Sequence, residues 1–144
     1  FRRLLFRSPP VESLDALDGN VITNTPTPMI ERIAAARAVS LLSLSCAQVR
    51  LLVSQREGLQ WLAQPVAVFV RQYPGATMTF YEGDLSLAAL KVFDEIMMIA
   101  PVQAREMLDA DFSQIAPDLR KAEKDFSSEV EQALASAKCL APQH

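Results

Sequence analysis

Histidine, glycine, cysteine and tryptophan are scarce: one His, four Gly, two Cys and one Trp in 144 residues. The single imidazole, His144, closes the sequence and is expected to fray, so no serine or cysteine has an oriented base and nucleophilic catalysis lacks its parts. No Glu-x-x-His pair of the kind that holds di-iron in a helical bundle is present, and Cys46 and Cys139 have no ligand partners at zinc-site spacing. No metal or cofactor is therefore expected. The two thiols are read as free or buried, with a disulfide between them as the alternative if the last helix passes the middle of the first. Four glycines are too few for a many-stranded sandwich or a phosphate-cradling loop. No run approaches the ~18 consecutive apolar residues of a membrane-spanning helix.

What is abundant is apolar surface, half of the residues, in a chain long enough to remove about 68% of its unfolded surface from water. Charge is small in sum, −3, but unevenly placed. Residues 1–29 balance, with Arg2, Arg3 and Arg7 against Glu12, Asp15 and Asp18. Residues 30–81 carry Arg32, Arg37, Arg50, Arg56 and Arg71 against Glu31 and Glu57, while the remainder is strongly acidic. Such halves attract each other when they pack antiparallel, and the basic one can dock on an acidic partner. The arginines are too thinly spread for a nucleic-acid footprint. The carboxylate pairs Asp94-Glu95, Glu106 with Asp109 or Asp111, and Glu129-Glu131 read as solvated helix surface.

Patterning predicts an all-α protein: a four-helix up-down-up-down bundle over residues 30–144, preceded by an extended arm over residues 1–29. Pro9, Pro10, Pro26 and Pro28 disfavour helix in the arm, and Asp18-Gly19-Asn20 is turn chemistry. The arm is expected to order on a partner, with Phe1 to Arg7 as a wedge or the remnant of a targeting segment. The first helix is predicted from Pro28 to about Arg56 on a stripe including Ile33, Leu41, Val49 and Leu52. Gly58 breaks it. Leu59, Leu62, Val66, Phe69 and Val70 mark a second helix that starts or kinks at Pro65, and Thr77 to Tyr81 reads as a linker or an extension of it. Gly83-Asp84 starts the third, with Asp84 placed to cap the turn that follows. Pro101 opens a new segment, and the spacing from Leu108 to Ala137 continues across Pro117, where a kink or restart is expected. Met97 and Met98 read as core filling rather than a ligand pocket. Trp61 lies off its stripe, as a cross-helix anchor or an interface residue.

Several segments resemble the PsbQ family of extrinsic photosystem II proteins: Ala34-Ala35-Ala36-Arg37-Ala38, Val49-Arg50-Leu51-Leu52-Val53, Trp61, Phe93-Asp94-Glu95-Ile96, Pro101-Val102-Gln103-Ala104, and a helix with Ser113, Ile115, Leu119 and Lys121. The similarity runs over about residues 30–122. It implies a non-catalytic four-helix subunit in the chloroplast thylakoid lumen that docks on photosystem II, peripheral to the membrane, and stabilises the oxygen-evolving centre. It places the partner-binding surface on Arg2, Arg3, Arg7, Arg32, Arg37 and Arg50, to which Trp61 is added as an interface residue. Two other readings stand beside it. Leu87 to Ile96 is similar to the second helix of a pentatricopeptide-type repeat, which implies an accessory subunit of a mitochondrial respiratory complex or ribosome; a stand-alone helical adaptor needs no complex.

Overall fold

The computed structural model describes residues 12–141. Among them the secondary structure is helical, with nine α-helices, two 3-10 turns and no strand beyond two isolated bridges. The expected all-α class is what the described residues form. The long helices are more finely divided than the periodicity suggests.

Residues 1–11 of the expected arm lie outside the described residues. Its remainder is not extended throughout: Leu14–Asp18 forms helix α1, capped by Ser13, whose hydroxyl accepts from the Ala16 amide at 3.1 Å. Leu14 is fully buried, so burial of one leucine fixes a turn too short to be stable alone. The expected helix from Pro28 to Arg56 is two helices, α2 (Pro28–Ala38) and α3 (Cys46–Ser54), with a 3-10 turn at Leu41–Ser43 between them. The division comes from serine chemistry. Ser45 Oγ accepts from the Gln48 amide at 3.1 Å, and Gln48 Oε1 accepts from the Ser45 amide at 2.9 Å, a reciprocal cap that starts a helix afresh.

Gly58 then stands at φ 69°, a left-handed conformation that glycine adopts cheaply, and helix α4 (Leu59–Gln72) follows. Pro65 lies inside α4 without ending it; the missing amide forgoes only the bond to the Trp61 carbonyl. The buried residues Leu59, Leu62, Val66, Phe69 and Val70 keep the predicted stripe. The third predicted helix breaks at Val92 into α5 (Asp84–Lys91) and α6 (Phe93–Ile99). Helix α5 is buried from Asp84 to Leu90 and lies between α3 and α9, with α4 also against it. Its small residues Ser86, Ala88 and Ala89 permit that close approach, and the Ser86 hydroxyl is satisfied by the Pro74 carbonyl at 2.7 Å.

Helix α7 (Pro101–Met107) packs with α6 against α4. A second 3-10 turn, Phe112–Gln114, leads to α8 (Pro117–Ala122) and α9 (Lys124–Leu140). Pro117 restarts the chain as expected, after Ala116 at φ 38°. Leu119 departs from the predicted stripe and is exposed. The core is continuous from Leu14 to Ala141 and includes the fully buried Leu52, Leu62, Phe93, Ile96 and Met107, each worth about 1.5–3 kcal/mol of burial.

Candidate anion groove

The sequence from Thr77 to Glu82 is a tight loop closed by the bridge between those two residues, not a helical extension. Asp84 organises it. Its carboxylate does not cap the helix ahead, as its position suggests, but turns back to accept the amides of Met78, Thr79 and Phe80 at 2.8, 2.7 and 2.8 Å. Asp84 is only 2% exposed, so these three bonds offset the cost of removing its charge from water. The loop thus holds Phe80 out from the surface, 69% exposed, with the Arg50 guanidinium 4.6 Å from the ring centroid. That is stacking distance for a cation on an aromatic face. Tyr81, next in the loop, packs edge-on against Phe126 of α9. Burial raises the pKa of its phenol, and the charges of Asp84 and Glu129 raise it further.

Phe80 and Arg50 form one wall of a groove of about 300 Å³. Helix α2 contributes Met29, Arg32 and Ala35, and α3 contributes Ala47, Gln48 and Leu51. The Nε atom of Arg50 is buried there and has no hydrogen-bond partner. Arg32, exposed at the same groove, has no carboxylate partner among the described residues.

The other basic residues of the 30–81 stretch are engaged within the molecule. Arg56 pairs across the two halves of the chain with Asp94 and Glu95, both at 2.9 Å, and these hydrogen bonds raise its pKa. Arg71 donates to the Glu106 carbonyl at 3.1 Å. Arg37 is 5% exposed and donates to Asp15, Asp18 and Glu57 at 3.0, 2.8 and 3.2 Å. Burial works against its charge, but the bonds it donates to Asp18 and Asp15 outweigh that penalty and hold its pKa above the ordinary value. Asp18 is in turn held below the usual carboxylate range by the Trp61 indole N–H, 3.0 Å away, and by Arg37.

The structure therefore sorts the residues expected to bind a partner. Arg32 and Arg50 meet at one groove. Arg37 is enclosed by carboxylates of this same chain, and Trp61 is half-buried, anchoring α4 to Asp18. Arg2, Arg3 and Arg7 lie outside the described residues, as does His144. Met97 is half-buried against the core, whereas Met98 is 84% exposed and does not fill it. Cys46 and Cys139 are exposed free thiols. Among the described residues no three His, Cys, Asp or Glu side chains gather where they could hold a metal ion. No described helix is long and apolar enough to cross a membrane. Phe80 was invisible to periodicity because it lies in a loop; the signal that could have found it is the acidic residue four positions on, able to gather the loop's amides. No family model, curated protein or solved structure matches the chain.

Proposed function

We propose that this chain is a non-catalytic accessory subunit that docks on an acidic surface of a larger assembly through the groove between α2, α3 and the 77–82 loop. One observation carries the reading: of five arginines in the 30–81 stretch, Arg32 and Arg50 have no acceptor among the described residues, and both border the same groove. Cations enclosed by their own chain serve the fold, whereas cations left open beside apolar surface suit an external anion. The likeness to PsbQ proteins gives the proposal a concrete form, an extrinsic subunit of photosystem II on the lumenal face of the thylakoid that stabilises the oxygen-evolving centre. In that form the short helices group into four antiparallel rods, α2 with α3, α4, α5 with α6, and α8 with α9, in up-down-up-down order.

The test is cell fractionation followed by photo-crosslinking from position 32. The expected outcome is cross-links to photosystem II subunits in the lumenal fraction, and reduced oxygen evolution on depletion of the chain. Recovery in mitochondria, or unchanged oxygen evolution on depletion, would overturn the photosystem assignment.

A further inference from the structure

Resting on the docking reading, we infer that the groove's occupant is a short acidic peptide segment of the partner, in which a Glu or Asp carboxylate is flanked by an apolar side chain. The surroundings of Arg50 specify the anion. Its Cζ lies over the Phe80 ring, and its N–H groups, which lie in the guanidinium plane, bond along the edge. The Nε is buried and lacks a partner among the described residues, so the terminal nitrogens are the donors at the groove. A planar carboxylate accepting from the terminal guanidinium nitrogens at the groove matches this fork, while the buried Nε lies out of its reach. Arg32 faces the same groove from α2 and adds a second positive charge. Gln48 Oε1 is already engaged by the Ser45 amide, which leaves the Gln48 amino group as a donor at the groove.

The rest of the lining is apolar. Met29, Leu51 and the outer face of Phe80 suit a side chain next to the carboxylate. Two cations are too few for a nucleic-acid backbone, whose binding rests on many phosphate contacts. Met29 and Phe80 are 37% and 69% exposed, so the groove is open at its rim. A small ligand is usually enclosed over most of its surface, whereas an open groove accommodates an entering chain.

The test uses the full chain and a blocked pentapeptide, Ala-Phe-Glu-Leu-Ala, with its Gln counterpart. Binding is followed by nitrogen-proton NMR of the Thr79 and Phe80 amides and of the Arg50 guanidinium N–H groups. The Glu peptide is expected to shift the Arg50 guanidinium resonances, and the Gln peptide to bind at least about tenfold more weakly. Arg50→Lys keeps the charge but loses the fork and the stack, and is expected to weaken the Glu peptide similarly, with an unchanged circular dichroism spectrum. Phe80→Ala should weaken binding by a smaller factor. Equal affinity for the two peptides, full binding by Arg50→Lys, or shifts confined to another surface would overturn the inference. So would tighter binding of 4-phenylbutyrate than of the peptide, which would make this a small-acid site, or self-association that shifts the same resonances without peptide. Peptide binding without cross-links to an assembly would support the groove's chemistry and defeat the docking reading. Cross-links from position 32 without peptide binding would do the reverse.

Discussion

Arg37 on α2 and Arg50 on α3 carry the same side chain into different surroundings. Around Arg37 the chain has gathered Asp15 and Asp18 from α1 and Glu57 from the turn before α4, three carboxylates within 3.2 Å of a cation that is 5% exposed. Around Arg50 it has placed an exposed aromatic ring and several apolar side chains, with no carboxylate in ion-pair contact and no acceptor for Nε among the described residues. The first is an electrostatic knot that ties α1, α2 and α4 together; the second is a half-finished contact. The difference separates a cation enclosed by carboxylates of its own chain from one that the docking proposal assigns to a partner, though both helices read alike in sequence.

Replacing each arginine by an apolar residue of similar length makes that contrast measurable. Arg37→Met strands the carboxylates around it and should cost about 3 kcal/mol, read as a lower urea midpoint at unchanged slope. A loss below that of an ordinary surface substitution would break the contrast at its stronger end. Gly58→Ala attacks the same knot through the backbone. The residue sits at φ 69°, and an added Cβ would lie 2.6 Å from a Leu14 methyl, so the left-handed strain alone should cost about 1–2 kcal/mol and push Leu14 from its seat. Thermal unfolding and the Leu14 methyl resonances report on both.

Acid should loosen the knot with smaller effect. Asp18 titrates below its ordinary 3.8 in the folded chain, first through Trp61 and then through Arg37, so the unfolded chain binds that proton at higher pH. The stabilisation is complete above about pH 3.8 and is lost as the pH falls through the lowered folded value. The Trp61 indole N–H resonance should therefore hold steady down to that pH and move only below it; movement centred higher would contradict the assignment. The smallest effect is expected at Arg50. Arg50→Met removes a buried unpaired donor along with a surface cation-aromatic contact, two terms of opposite sign, and should change stability by no more than about 0.5 kcal/mol.

Helical class and the breaks at Gly58 and Gly83 were legible because they depend on local chemistry: apolar spacing in one case, left-handed backbone in the other. The division of the first long helix was also written locally, in Ser45 and Gln48, but the small apolar run around it masked the cap. The break at Val92 carries no glycine, proline or capping side chain. It arises where the chain leaves α3, against which α5 packs, and lays α6 against α4 while keeping contact with α9, a tertiary matter that no window of sequence contains. The fates of Arg37 and Arg50 were illegible for a related reason. Which cation finds a carboxylate is decided by partners far away in the chain, and α1 exists only once Leu14 has a core to enter.

The seat of Leu14 against Gly58 also has a kinetic meaning. Helices α6 and α7 meet across Ala100 alone and can pair early, whereas α1 must return across the non-helical stretch from Gly19 to Thr27 and finds its binding place only after α2 and α4 have formed it. It is the last piece to arrive and the first to leave, so its amides should exchange through brief local openings while those of α4 wait for the whole domain to unfold.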